Sequence, residues 1–276
     1  MGSFRWAGRR PIIIPVRSHQ VWLAIALLSV PLMTGCIAAP TTTLETSVVR
    51  PPIAPATVFV ANGAGNYQVT SRALRNLARK DGEPLEVITF DWSHGRHRFL
   101  ADQIGQAHAR AQGKKLADAV VAYHAKNPDR PIYLLGHSAG TAVVMVALEN
   151  LPEPIVERAI LLAPSLSAHY NVQLALHAVK QSLNVFYSPH DFFYLGVATG
   201  LVGTPDRRWT ATAGRTGFNQ PLEPEVQSKL IQRSWQPADR MLGNNGGHFG
   251  AYQPDYLRAH VIPLFDSAPR STGMVP

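Results

Sequence analysis

The sequence predicts an α/β fold in which a mostly parallel sheet carries helices on both faces. From about residue 57 onward, short apolar runs typical of buried strands alternate with longer segments of helical composition. Parallel strands require crossover connections, which helices provide, so this alternation favours a parallel sheet. The chain has 276 residues, of which 46% are hydrophobic and 16% charged, so it has enough apolar material for one substantial globular domain.

The first half of the predicted domain contains two strands and two helices. Thr57–Ala61 (TVFVA) is a β-branched run and predicts the first strand. The turn Asn62–Asn66 follows, and residues 69–80, rich in Arg, Leu and Ala, predict a helix. Leu85–Phe90 (LEVITF) predicts the second strand, and residues 99–126 predict a long helix.

The second half predicts three further strands, which are Pro131–Leu135, Arg158–Ala163 and Leu183–Tyr187. A buried helix is expected at Ala139–Leu148, and residues 172–181 have a helix-like composition. A last strand is expected near residues 229–235. It lies in the segment 196–236, which the sequence leaves otherwise unassigned and for which a substrate-covering insertion is one hypothesis.

The most informative motif lies where the third strand meets its helix, in the run PIYLLGHSAG from Pro131 to Gly140. A strand that turns directly into a helix at Ser138 forces this serine into a strained conformation with its hydroxyl outward. Gly136 and Gly140 avoid the clashes that a Cβ would cause in so tight a turn. The alternative is an ordinary turn serine that caps the helix.

The strand, the GHSAG sequence and the helix together resemble the α/β-hydrolase superfamily over roughly residues 57–265. The resemblance implies a nucleophilic serine, an acid after a later strand and a histidine near the C-terminus, in that chain order. Ser138 is the implied nucleophile. Asp191 follows the strand Leu183–Tyr187 and is the candidate acid, and His248, flanked by glycines in GGHFG, is the candidate histidine.

Each of these two assignments has alternatives. Asp191 also fits a residue that caps the following segment, and His248 also fits a surface loop histidine. The reserve acids are Asp206, Asp239 and Asp255, and the reserve histidine is His260.

The resemblance also implies an oxyanion hole formed by two backbone N–H groups. The N–H of Ala139, at the start of the helix, is the first expected donor. The second is the N–H of Ala64, in the turn Asn62–Gly65, where asparagine stands in place of the usual histidine. A nucleotide-phosphate loop is the competing interpretation of this turn, but the sequence lacks a full GxGxxG or a GK[ST] motif.

Three further residues are candidates for substrate binding. Trp92 and His94 follow the second strand, and His190 precedes the candidate acid. A core tryptophan in a turn is the favoured alternative for Trp92. His137, directly before the serine, is expected to point away from it. We predict no metal and no cofactor, because the pair His94 and His97 is more typical of a structural role.

The N-terminal segment indicates export. Basic residues precede the apolar run Val21–Met33, which has the length of a signal-peptide core, and Leu32–Cys36 (LMTGC) resembles a bacterial lipobox with Met33 in the usual leucine position. Lipidation of Cys36 would anchor an exported protein in the cell envelope. An uncleaved anchor or an ordinary signal for a secreted or periplasmic protein is the alternative.

Three regions follow from this division, namely a signal peptide (1–36), a Thr/Pro/Ala-rich tether (37–56) and a catalytic domain (57–276). The net charge of +8 falls to +4 without the four arginines of residues 1–36, and the remaining basic residues are scattered, so we expect no nucleic-acid partner.

The expected function is cleavage of a small-molecule or lipid ester by a serine esterase or lipase. A thioesterase, an amidase, an acyltransferase or a non-catalytic binding protein on the same fold is the alternative.

Overall fold

Six strands form one parallel sheet at the centre of the protein. The computed structural model describes residues 55–96, 98, 101–102, 105–191 and 211–266, which all fall within one compact unit. The strands are β1 (Ala56–Ala61), β2 (Leu85–Phe90), β3 (Ile132–His137), β4 (Val156–Leu162), β5 (Val179–Tyr187) and β6 (Leu230–Ser234). Their order is β2-β1-β3-β4-β5-β6, and every pairing is parallel. The predicted fold class is confirmed.

Helices connect these strands as the crossovers require. They are α1 (Val69–Asp81), α2 (Gln106–Lys126), α3 (Gly140–Glu149), α4 (Gln173–Ala178), α5 (Ala213–Thr216), α6 (Pro224–Gln227) and α7 (Pro254–His260). Short 3₁₀ turns at Pro237–Leu242, Gly250–Tyr252 and Ile262–Phe265 complete the C-terminal part. No helix in the described ranges combines the length and apolarity that crossing a bilayer needs.

Two apolar cores lie on opposite faces of the sheet, because strand side chains alternate between faces. In β1, Phe59 packs into one core and Val58 into the other. The first core contains residues of α2, α3 and α4, and the second contains residues of α1 and α7. The sheet is therefore covered on both sides, which explains why β1 and β3 are buried along their whole length.

The chain order creates a natural binding position between β1 and β3. From β1 the chain moves outward to β2, and it then returns to place β3 on the other side of β1. In open α/β sheets such a reversal leaves a crevice outside the carboxyl ends of the two strands. The turn after β1 and the serine after β3 both lie at this crevice.

The element boundaries differ most from expectation in two places. The helix-like segment 172–181 is helical only to Ala178, and β5 begins at Val179. The long helix expected over 99–126 includes α2, which begins at Gln106. The export signal, residues 37–54 of the predicted tether and residues 192–210 lie outside the described residues, and Ala56, which was assigned to the tether, begins β1.

Candidate active site

Ser138 occupies a strained turn between β3 and α3. Its φ of 52° lies in the left-handed region that few non-glycine residues adopt. A Cβ on Gly136 would lie 2.8 Å from Cα of Thr141, and one on Gly140 would lie 2.2 Å from the carbonyl oxygen of Ala61. Both glycines are therefore required by close backbone approach. The GHSAG sequence adopts the expected strand-to-helix turn, with the serine at its apex.

The structure brings Ser138, His248 and Asp191 together in one hydrogen-bonded chain. Nε2 of His248 lies 2.9 Å from Oγ of Ser138, and Nδ1 of His248 lies 2.8 Å from Oδ2 of Asp191. All three residues are buried, with exposed fractions of 4%, 7% and 2% respectively. The Asp191 carboxylate accepts from Nδ1–H, so Nε2 is the ring nitrogen that accepts from the Ser138 hydroxyl.

Two strand ends and a glycine-rich loop place the acid and the histidine. Asp191 follows the carboxyl end of β5, and its N–H donates to the carbonyl of Ser188. His248 lies in the loop after β6, next to Gly246, whose φ is 87°. A Cβ there would lie 3.2 Å from Oγ of Ser188 and from the Trp235 ring, so glycine permits the loop to pack tightly against the residues that follow β5 and β6.

A cavity of about 480 Å³ opens beside Ser138. One side is formed by Gly63, Ala64 and residues 67–70, from the turn after β1 and the start of α1. The other side is formed by His137, Ser138, His248, Phe249 and Tyr252. Lys, Arg, Asp and Glu are absent from the described lining, so a neutral, largely apolar ligand suits this cavity.

His137, which was expected to point away from the serine, contributes its ring to the cavity lining. Its Nε2 lies 3.3 Å from the carbonyl oxygen of His248, and its ring meets that of Tyr252 edge to face at 5.2 Å. Burial, reinforced by the nearby His248, lowers the pKa of His137 from 6.5 to about 3. His137 is therefore neutral near physiological pH and donates from Nε2–H to the loop that holds His248.

The turn after β1 has an unusual backbone. Gly65, Asn66 and Gln68 have φ values of 83°, 52° and 53°, and the latter two are not glycines. The side-chain carbonyl of Asn62 accepts from the N–H of Ser71, which fixes the turn to the start of α1.

The two residues expected to supply the oxyanion donors lie near the serine. Ala139 directly follows Ser138, and Ala64 lines the same cavity as Ser138. A Cβ on Gly63 would lie 3.4 Å from Cβ of Ser138, so the turn passes close to the nucleophile candidate.

The three candidate substrate-binding residues lie outside the described lining of this cavity. Trp92 is buried in the core, where its Nε1–H donates to the carbonyl of Asn62 at 2.7 Å. His94 is hydrogen bonded to a carboxylate, and the ring of His190 packs edge to face on Trp235 at 4.8 Å. These residues follow strands, which correctly predicts that they lie at this edge of the sheet. It does not determine where their side chains point.

The reserve residues have other partners. Asp239 pairs with Arg233 at 2.7 Å, and His260 lies 3.1 Å from the same arginine. Asp255 pairs with Arg258 within α7. Asp206 lies outside the described residues. The acid and the histidine that are hydrogen bonded in the chain to Ser138 are therefore Asp191 and His248.

A second cluster, His94, Asp102 and His108, was not found from the sequence. Their potential ligand atoms all lie within 4.8 Å of one another. The sequence prediction compared only His94 with His97 and gave Asp102 no role. No short motif links residues 94, 102 and 108, so only the three-dimensional structure brings them together. Tyr67, Phe249 and Tyr252 of the cavity were missed for the same reason.

A known protein family matches most of the chain. The model of the alpha/beta hydrolase family matches residues 58–271. No curated protein sequence matches the chain.

Several solved structures are similar to this chain at low identity. Aspergillus fumigatus lipase B is 12% identical, with 75% of this chain and 52% of that chain covered and a TM-score of 0.48. An esterase of Pyrococcus furiosus is 11% identical, with coverage of 76% and 82% and a TM-score of 0.46. The Bacillus subtilis carboxylesterase CesB is 12% identical, with coverage of 79% and 86% and a TM-score of 0.41. The family assignment rests on the family model alone.

Proposed function

The chain belongs to the alpha/beta hydrolase family, and we propose that it is a serine hydrolase that cleaves a carboxylic ester through an acyl-enzyme. The observation that carries the proposal is the buried hydrogen-bonded chain from Asp191 through His248 to Ser138, at the edge of an apolar cavity. A serine hydroxyl is a poor nucleophile at its own pKa, and a histidine within 2.9 Å supplies the base that it needs.

The proposed reaction begins when Oγ of Ser138 attacks the ester carbonyl carbon. His248 takes the hydroxyl proton at Nε2 as the new C–O bond forms, and Asp191 stabilises the resulting imidazolium. The carbonyl oxygen becomes an oxyanion, for which the N–H groups of Ala139 and Ala64 are the proposed donors. When the bond to the leaving alcohol breaks, His248 returns the proton to the alkoxide. A water activated by His248 then hydrolyses the acyl-enzyme in the same manner.

The cavity supports an uncharged ester as the substrate class. Its described lining carries aromatic rings from Tyr67, Phe249 and Tyr252 and contains no Lys, Arg, Asp or Glu side chain. Burying an unpaired charge is costly, whereas apolar surface is favourably removed from water. A thioester or an amide fits the same nucleophile and is distinguished by experiment.

The test is turnover of neutral p-nitrophenyl esters of increasing chain length, beside a matched thioester and anilide. We expect ester hydrolysis that falls by at least about 10⁴-fold in Ser138→Ala and His248→Ala. His177→Ala, which changes an exposed histidine on α4, should retain wild-type activity. Faster turnover of the thioester or anilide than of every ester would overturn the ester assignment. Full activity in Ser138→Ala would overturn the serine mechanism.

We further propose that the protein is exported and anchored in the cell envelope through a lipid on Cys36. The support is the basic segment, the apolar run Val21–Met33 and the lipobox-like Leu32–Cys36. Metabolic labelling with an alkynyl fatty acid should tag the wild type and leave Cys36→Ser unlabelled. Export without labelling of either protein would favour the secreted or periplasmic alternative.

A further inference from the structure

A buried carboxylate connects the turn after β1 to the loop after β2. The side chain of Asp102 is 0% exposed. Its Oδ2 accepts from the N–H of Gly65 at 2.8 Å and from the hydroxyl of Ser93. Its Oδ1 accepts from the N–H and from Nδ1 of His94, both at 2.8 Å. Four donors from two loops therefore converge on one carboxylate.

We propose that Asp102 is a positioning residue that holds the turn Gly63–Gln68, and with it the N–H of Ala64, in the geometry that stabilises the oxyanion. The inference rests on the proposed serine hydrolase function. Gly65 directly follows Ala64, so the hydrogen bond from Gly65 to Asp102 orients the peptide unit that joins these two residues. The N–H of Ala64 belongs to the preceding peptide unit, which shares the Cα of Ala64. A rotation of the unit held by Asp102 would therefore displace this N–H relative to the substrate carbonyl.

The backbone of this turn needs external support. Asn66 and Gln68 have positive φ values although neither is glycine, and such conformations persist only where the surroundings fix them. Asn62 anchors the beginning of the turn, through its side chain to Ser71 and through its carbonyl to Trp92. Among the described residues, Asp102 supplies the contact to the middle of the turn.

The charge of Asp102 suits this role. Hydrogen bonds to an ionised acceptor are roughly twice as strong as neutral ones, and a preorganised donor must resist movement when the oxyanion forms. Burial acts to raise the pKa of Asp102, but the hydrogen bonds from Gly65, His94 and Ser93 outweigh burial and hold that pKa below its usual value. The carboxylate is therefore ionised at neutral pH and acts only as an acceptor.

A metal site is the rival interpretation of the same residues, and the geometry does not favour it. The rings of His94 and His108 are stacked, with centroids 3.6 Å apart and planes 28° apart. Imidazole lone pairs lie in the ring plane, so stacked rings do not direct them at one ion. Nε2 of His108 is hydrogen bonded to the carbonyl of Trp92, and both oxygens of Asp102 already accept two hydrogen bonds each.

The first test measures catalysis and transition-state affinity in Asp102→Asn and Asp102→Ala. Loss of a whole oxyanion donor costs about 10²–10³-fold in kcat, so a misplaced donor should cost about 10–100-fold. We expect kcat to fall by this factor while KM stays within about threefold, because the donor acts on the oxyanion more than on the bound ester. The affinity of a trifluoromethyl ketone, whose adduct with Ser138 is an oxyanion, should fall by the same factor as kcat/KM.

The matched control is Val120→Ala, which removes buried apolar atoms from α2 at a residue outside the described cavity lining. It should lower the melting temperature and leave kcat and ketone affinity of the folded protein unchanged. If Asp102→Asn lost stability like this control and kept wild-type kcat and ketone affinity, Asp102 would be merely structural and the inference would be overturned.

A second measurement is independent of turnover. Amide hydrogen exchange of the turn Gly63–Gln68 should accelerate at least about tenfold in Asp102→Asn and remain at the wild-type rate in Val120→Ala. An inactive wild type with this exchange pattern would refute the proposed function while supporting the link from Asp102 to the turn. Unchanged exchange would refute the link. Stoichiometric binding of zinc chloride to the wild type that is lost in Asp102→Asn would replace the inference with a metal site.

Discussion

The neutral histidine beside Ser138 gives the protein a specific dependence on pH. Burial and the neighbouring His248 lower the pKa of His137 from 6.5 to about 3 in the folded protein. As pH falls below 6.5, the unfolded chain binds a proton at this residue and the folded protein does not, so the free energy of unfolding decreases. The decrease continues until the pH reaches the folded pKa of about 3.

The perturbation is His137→Gln, which keeps an amide N–H that can donate to the carbonyl of His248 but removes the titration. A pKa difference between 6.5 and about 3 corresponds to about 5 kcal/mol in total and to about 2 kcal/mol at pH 5. From about pH 8 to about pH 5, the free energy of unfolding of the wild type should therefore fall by about 2 kcal/mol relative to that of His137→Gln.

Urea unfolding at several pH values measures this quantity for each variant. His177→Gln, at an exposed position, is the matched control and should give a curve parallel to that of the wild type. A difference between wild type and His137→Gln that does not change with pH would refute the reasoning, because it would show that His137 takes up protons equally in both states.

Three further changes test the contacts that hold the site. Gly140→Ala should destabilise the fold by about 1–3 kcal/mol in thermal unfolding, because its Cβ would lie 2.2 Å and 2.4 Å from the carbonyl oxygens of Ala61 and Asn62; an unchanged melting temperature would contradict the close approach. Trp92→Phe should lower stability by about 0.5–1.5 kcal/mol through loss of the 2.7 Å hydrogen bond to Asn62, and wild-type stability would show that this bond contributes nothing. Phe249→Ala should raise KM for apolar esters several-fold with little change in kcat, and an unchanged KM would remove Phe249 from the ligand-binding surface.

Local patterns in the sequence located much of the site. The strand, the glycines and the serine of GHSAG lie within ten residues, so their mutual geometry follows from steric limits on one tight turn. Asp191 was predictable because it lies four residues after the end of the predicted strand Leu183–Tyr187. His248 was predictable because a late, glycine-flanked histidine has the backbone freedom to reach a serine after another strand.

The remainder depends on contacts between distant segments. Gly65 and Asp102 are 37 residues apart, and no periodicity in the sequence connects them. His137 alternates to the face of β3 that packs on α1 and α7, so it reaches the cavity from beside the serine, which the motif alone did not reveal. The boundary at Val179 was missed because helix-like and strand-like composition overlap there, and pairing with β4 decides the outcome.

The most direct test of the central claim is to trap the acyl group on the protein. Rapid quenching after mixing with a p-nitrophenyl ester, followed by mass spectrometry of the peptides, should show one acyl group per protein on Ser138. The label should be absent from Ser138→Ala and should accumulate more slowly in His248→Ala, because the serine then lacks the base 2.9 Å away. Ester turnover with no acyl group on Ser138, or with the group on another residue, would contradict the account.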